Sequence, residues 1–410
     1  MIYKLEEVCE FINGGAWSDK EYVTHGVPVL KVTNCKPKGF IIDNINYLST
    51  SSATKYAKHK VQRGDVIIAT VGSHPNLVDS AAGRACIINS IVEGFYLNQN
   101  AVCMRTKDQD ILDQGYLGYH SKYREFQHYI QMRGRGAANQ MRIAIGAIKG
   151  YEFDFPEIDI QRKIANILSA YDDLIENNQK QIKLLEEAAQ RLYKEWFVDL
   201  RFPGHEDVAI VDGVPEGWGV KSILDNEIFV FLKSKVKSFE GEKQYYATAD
   251  VVGTLLMTDG ETITFMNRPS RASIQPVINS VWFARMSNTY KILNCYGESS
   301  HLANDSVISS GFAGFTSLEG CYGFVHETIV SKKFDEEKNR YATGATQVSL
   351  TNEGLKKIEI LVPTVDVAKR FSEIVENYIL TCESLKRKCK LLQQVRDRLL
   401  PKLMSGEIEV

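Results

Sequence analysis

The amino-acid sequence predicts an α+β protein made of two sheet-rich domains in tandem, each followed by one long helix. Three observations lead there. The second half of the chain repeats the first, the globular stretches consist of short β-branched and aromatic runs, and each half closes on an unbroken amphipathic helix pattern.

The repeat is clearest around the helices. Placing Gln140 over Gln347 sets an offset of 207 residues. The offset holds without a gap through Pro156 and Pro363, Asp159 and Asp366, Lys163 and Arg370, Tyr171 and Tyr378, Leu184 and Leu391, and Arg191 and Arg398. Two unrelated amphipathic helices would share apolar positions, but not the Gly-Ala, Gln and Pro that precede both. The offset is close to half of the 410 residues. Upstream the likeness thins, yet 62–70 aligns with 276–285, and the run from Val27 resembles that from Tyr245. The expected division is residues 1–155 for the first domain and 156–202 for its helix, then 203–362 for a linker with the second domain and 363–410 for the second helix and tail.

Within the domains, VIIAT, ACIIN, SVWFAR, YKILNCY and ETIVS are strand-like runs separated by Gly, Asn, Asp and Ser turns, while 116–131 has a helical pattern. Beyond Pro156 there is no Gly or Pro until Pro203. The apolar positions Ile160, Ile164, Ile167, Tyr171 and Leu174 step by four and three. The seam then shifts by one residue to Ile175, Ile182, Leu185, Ala189, Leu192 and Trp196, as a stutter does. The second helix carries Val367, Phe371, Ile374, Tyr378, Leu385, Leu392, Val395 and Leu399 on one heptad register, broken at Thr381 and Lys388. Roughly 40 residues at 1.5 Å each make a rod about 60 Å long. Two equal modules with a rod after each form a pseudo-twofold object, which suits a bipartite target such as DNA with two half-sites.

Charge and composition exclude more than they identify. Lys+Arg of 49 against Asp+Glu of 51 leaves a formal charge of −2, so affinity for nucleic acid has to come from local basic patches. The start MIYKLEEVCE has no basic segment followed by an apolar run, and no run of eighteen apolar residues occurs, so a cytoplasmic location is expected. The eight cysteines form no Cys-x-x-Cys pair and no zinc spacing; reduced thiols and no metal are expected.

At the junctions the chain resembles the specificity subunits of type I restriction-modification systems. In that family a pattern close to Pro-x-x-x-Glu-Gln-x-x-Ile opens each helix and Leu-Leu-Pro-x-Leu-Met-Ser-Gly-Glu-Ile closes the protein. The first junction here runs from Pro156 through Gln161 to Ile164, with Ile160 in place of the Glu; the second, from Pro363 to Phe371, lacks the Gln. The ending from Leu399 to Ile408 matches closely, and Pro215-Glu-Gly-Trp218 is similar to the usual start of the second recognition domain. The resemblance covers the whole chain. It implies one target recognition domain per half, each reading part of a split sequence, and an antiparallel coiled coil of the two helices that fixes the gap and docks two modification subunits. It further implies no cofactor on this chain, with S-adenosylmethionine on the partner that methylates adenine, and translocase-nuclease subunits completing the restriction complex.

Base reading needs polar and basic side chains on loops that reach groove edges. In the first half Gly72, Ser73, His74 and Asn76 follow the strand VIIATV, and Arg133, Arg135, Asn139 and Gln140 lie in a Gly-rich loop. Opposite them in the second half stand Arg285, Ser287, Asn288 and Lys291, and then Arg340, Thr346 and Gln347. Arg268 and Arg271 are further candidates for phosphate contacts, whereas Lys332 and Lys333 fit a solvated pair. Leu185, Leu192, Trp196, Phe197, Leu392 and Leu399 are the expected partner-binding positions, an apolar seam left to be covered. His59, His120, His128, His301 and His326 have no Cys or carboxylate companion at a catalytic spacing.

No methyl-donor or dinucleotide glycine loop, phosphate loop, Asn-Pro-Pro-Phe/Tyr motif or His-Glu-x-x-His occurs, so a non-catalytic subunit is expected. Two other readings remain at this stage: a coiled-coil adaptor joining two protein-binding domains, and a free-standing nucleic-acid enzyme with a degenerate site.

Overall fold

The computed structural model describes residues 2–36, 39–42, 45–73, 81–137, 140–297, 300–345 and 348–410. The chain divides into two compact units, Met1–Ile175 with Lys390–Val410, and Glu176–Cys389. Each long helix is therefore shared: its two ends bury their apolar stripes in different cores.

In the first unit four antiparallel strands lie in the order Ala85–Ile87, Val66–Ala69, Ala101–Thr106 and Cys9–Asn13. Val66–Ala69 is buried along its whole length, which is why its sequence is continuously apolar rather than alternating. A second sheet has the order Tyr96–Leu97, Val27–Leu30, Tyr47–Leu48 and Tyr22–Val23, with the first pair parallel. The expected helical patch is two helices, Gln114–Lys122 and Arg124–Gln131, because Tyr123 between them takes extended backbone. Leu5, Val66, Met104, Leu117 and Phe126 form the core together with Ile164, Leu168 and Leu403 of the long helices.

The second unit repeats this plan. Its antiparallel sheet runs Phe229–Leu232, Phe312–Ser317, Ser280–Ala284 and Ile292–Cys295. Its other sheet runs Glu261–Ile263, Lys243–Tyr246, Ser306–Ser309 and Ala272–Ile274, again with one parallel pair. Val66–Ala69 thus corresponds to Ser280–Ala284, and Val27–Leu30 to Lys243–Tyr246, as the weak upstream alignment implied. One strand expectation fails. The ETIV of ETIVS is the last turn of the helix Tyr322–Val330, where Ile329 faces the core and Thr328 bonds its hydroxyl to Phe324 O (2.8 Å). Its β-branched composition loses to helical packing against the sheet.

The long helices are Ile158–Phe197 and Val365–Met404, each of 40 residues. They run antiparallel in both units. In the first, Ile164 and Leu168 share a core with Leu403, while Asp172, further along, accepts an ion pair from Arg396, further back. In the second, Ile182 packs with Cys382 and Leu385, and the ring of Trp196 stands 5.5 Å from that of Phe371. The expected stutter is absent: Gln161, Leu168, Ile175, Ile182, Ala189 and Trp196 are buried at unbroken intervals of seven, while Ile160 and Leu174 are exposed, so this seam row lies one residue later than expected from the start of the helix. On the second helix one of the two seam rows lies a residue later than expected. Val375, Cys382 and Cys389 are buried, while Ile374 and Val395 are exposed. Treated as small apolar groups, the two cysteines complete the heptad that Thr381 and Lys388 broke.

The junction motifs have local work. Gln161 is fully buried; its amide donates to Pro156 O (2.8 Å) and Ile111 O (3.1 Å) and accepts from Asp113 N–H (2.9 Å). It ties the start of the helix to its own domain. Where the second half lacks the Gln, Ala368 is buried, and Ser372 one turn on accepts from Phe324 N–H (3.0 Å). Gly217 takes φ +82 in the turn that brings Trp218 onto Phe202, 4.8 Å between rings.

Candidate nucleic-acid interface

In the first unit the two suspected loops meet in one small sheet of Arg135–Ala137, Gln140–Arg142 and Val71–Gly72. Gly72 pairs with Met141, and a Cβ there would lie 2.3 Å from Ala82 N, so a glycine is required. Met141 points inward and is buried, while Gln140 and Arg142, one residue to either side, are exposed on the other face. Arg135 is the direct cross-strand neighbour of Arg142 and is exposed too. Arg133 lies flat over the Tyr129 ring at 3.5 Å and donates to Tyr129 O (3.2 Å), leaving its outer edge to solvent. A polar, cationic face of Arg133, Arg135, Gln140 and Arg142 results. Ser73 follows the sheet, half-buried. His74, Asn76 and Asn139 lie outside the described residues.

Arg142 was missed by the sequence reading. Its signal was the alternation of Gln140, Met141, Arg142 and Ile143, which puts Gln and Arg on one face.

In the second unit the corresponding loops also meet, through the bridge of Met286 to Ser349 and the bond from Ser287 N–H to Val348 O (3.0 Å). Here Arg285, Ser287, Lys291 and Arg268 are committed to contacts within the unit, and they are corrected to structural roles. The Arg285 guanidinium donates to Leu350 O (2.9 Å) and Asn352 Oδ1 (2.9 Å), and burial pulls its pKa down. The Lys291 amine donates to Thr248 O (2.6 Å), its pKa likewise lowered by burial. Ser287 bonds Asn339 Oδ1 (3.4 Å), an atom that also accepts from Asn288 N–H (2.8 Å). Arg340 stays exposed, pairing with Glu337 at 2.8 Å on the same helix. Arg268 stacks on Phe265 at 4.0 Å and bonds its carbonyl. Asn288, on a left-handed backbone, and Arg271 present exposed side chains. Thr346 and Gln347 lie outside the described residues.

The partner-binding expectation is corrected in the same way. Trp196 and Phe197 are buried in the second unit's own core, Phe197 lying 4.6 Å from Phe324 and 4.9 Å from Phe371 between rings. Leu192 packs on that core, Leu185 on Ile182 and Cys382, and Leu399 on the first unit's core. Leu392 is half-buried. An apolar seam in sequence does not say whether a partner or the chain itself covers it.

Among the histidines, His326 does have a carboxylate neighbour, Glu327 at 2.8 Å, but Glu327 is buried and also takes the Gln190 amide, so the group braces the second unit. His120 is buried among Phe126, Tyr151 and Phe153, and burial pushes its pKa down to about 4. All eight cysteines are buried, and none is in a disulfide. Among the described residues no group of three His, Cys, Asp or Glu is placed to hold a metal ion, and no helix is long and apolar enough to cross a membrane.

Residues 1–187 match the family described as the type I restriction modification DNA specificity domain. The MjaIX specificity subunit of Methanocaldococcus jannaschii is 24% identical over 72% of this chain and 69% of that protein. The putative MjaX specificity subunit of the same organism is 21% identical over 100% of this chain and 93% of that one. The HindI specificity subunit of Haemophilus influenzae is 20% identical over 86% and 88%. In fold the chain is similar to the crystal structure of a type I restriction-modification S subunit from M. genitalium, with TM-score 0.55 and 16% identity over 98% of this chain and 96% of that one.

Proposed function

We propose that the chain, whose residues 1–187 match the type I restriction modification DNA specificity domain and which is similar to type I specificity subunits, chooses the DNA sequence on which a modification and restriction complex acts, each of its two domains reading one half of a bipartite target. The observation that carries this is the duplication of one topology within a single chain, with the loop pair brought together in each copy. Two like readers on one polypeptide suit two half-sites, and the antiparallel helices set the gap between them. The chain does no chemistry itself and acts in the cytoplasm. Two modification subunits dock on it, bring S-adenosylmethionine and methylate adenine at N6, and translocase-nuclease subunits join them.

In the first domain Arg135, Gln140 and Arg142 are the readers. Arg fits guanine bidentately and Gln fits adenine, while Arg133, held on Tyr129, is placed for phosphate. The test is co-expression with a modification subunit and mapping of methylated adenine by long-read sequencing. The expected result is a split motif with a fixed gap, relaxed in one half only by Arg135→Ala with Gln140→Ala. Absence of methylation with every modification subunit tried, or an unchanged motif in the double variant, overturns the reading.

A further inference from the structure

The second domain carries a line of positive charge away from the paired loops. After Leu232 the chain runs extended along Ala272–Ile274, the end strand of a four-stranded sheet. Val236 N–H donates to Ser273 O (2.9 Å) and the Ser234 hydroxyl bonds Gln275 O, so the segment lies antiparallel to the strand and covers its edge. Val236 and Phe239 pack on Tyr245, Ile263, Ala272 and Val307. The two-residue period of extended chain then puts Lys233, Lys235 and Lys237 on the opposite side, and all three are exposed.

None of these three lysines makes an ion pair among the described residues, although the chain has more acidic than basic residues overall. Neighbouring cations are spent: the Lys243 amine donates to Gln275 Oε1 (3.1 Å) and Asn304 O (2.9 Å), and Arg268 lies on Phe265. Glu240 and Glu242 follow along the chain and end the row. Lysines at successive outward positions repel one another, weakly in water, and a polyanion lying opposite them relieves that repulsion.

We propose that Lys233, Lys235 and Lys237 form the phosphate-contacting track of the second domain, which supplies affinity and position but no sequence choice. This rests on the reading of the chain as a DNA-binding subunit. Lysine is a compact point charge on a flexible stem, suited to phosphate oxygens rather than to the fixed geometry of a base edge. It also divides labour in this domain, since Arg285 and Lys291 are committed to the fold.

The track is tested on the full chain with a labelled mixed-sequence DNA duplex, measuring affinity against salt concentration. Each phosphate neutralised contributes about 0.9 to the slope of log affinity on log salt, so Lys233→Gln, Lys235→Gln and Lys237→Gln together lower the slope by about 2.7. Between about 50 and 200 mM salt the parent chain then loses about 40-fold more affinity than the triple variant. Lysines on a sheet edge also prevent edge-to-edge aggregation. The triple Lys→Glu variant keeps that protection while reversing the charge, so it is expected to stay soluble and bind more weakly still. A Lys→Glu variant that binds with the parent's slope reduces the row to edge protection and overturns the proposal. A parent chain that binds with a steep slope while the Gln variant keeps it, folded, overturns the track alone; a parent chain with no salt-dependent binding overturns the track and the DNA-binding reading together.

Discussion

Arg135 stands directly across an antiparallel strand pair from Arg142, cation against cation, and among the described residues neither makes an ion pair. Such a pair weakens a sheet by roughly 0.2–1 kcal/mol. Arg142→Gln is therefore expected to leave the melting temperature unchanged or raise it slightly. The same change lowers affinity for the target by about 1–3 kcal/mol and relaxes the methylated motif at one position of one half-site. A variant that melts earlier and binds as before assigns Arg142 to the fold.

Arg285 tests the opposite case. Arg285→Ala leaves the carbonyl of the buried Leu350 without its guanidinium donor, and a loss of about 2 kcal/mol of stability is expected by chemical denaturation. Below its melting range the variant should direct methylation to an unchanged motif. A changed motif would return Arg285 to the set of readers.

The family Gln at the first junction is a positioning residue for the helix. Gln161→Ala removes two donated bonds and the acceptor for Asp113 N–H inside a fully buried site, and is expected to destabilise the first unit by about 2–3 kcal/mol. Hydrogen exchange localises the effect: protection falls at 111–113 and at the start of the helix Ile158–Phe197. Unchanged exchange there refutes the role.

His120 makes stability depend on pH. Its pKa falls from 6.5 to about 4 because burial disfavours the imidazolium, so the unfolded chain binds the proton first. The contribution is fully present above about pH 6.5 and is lost as the pH drops toward 4, amounting to about 3 kcal/mol over that window. His120→Phe, which keeps the stacking on Phe153 at 4.4 Å, should flatten the dependence of denaturation midpoint on pH in that range. An equally steep profile in the variant means that other groups carry it.

How legible the site was differs between the halves. In the first, the Gly-rich basic loop pointed to Arg135 and Gln140, and the alternation around Met141 would have added Arg142. In the second, position along the repeat selected Arg285 and Lys291, but their polar groups turn inward to Leu350 and Thr248. The exposed lysines of 233–237 went unnoticed because a period of two in a short segment is visible only once its inward face has a sheet edge to rest on.

The duplication and both long helices were legible in the sequence, because these depend on covalent order and on periodicities of a few residues; the row buried from Gln161 to Trp196, one residue off the expected seam, was not. Tertiary structure alone decided which side chains are spent. Trp196 and Phe197 look like a seam awaiting a partner until Phe324 and Phe371 arrive from residues far along the chain. The seam row at Val375, Cys382 and Cys389 emerges only against the facing helix. Burial and hydrogen bonding join positions that are distant in sequence, and no local pattern encodes which distant group will be there.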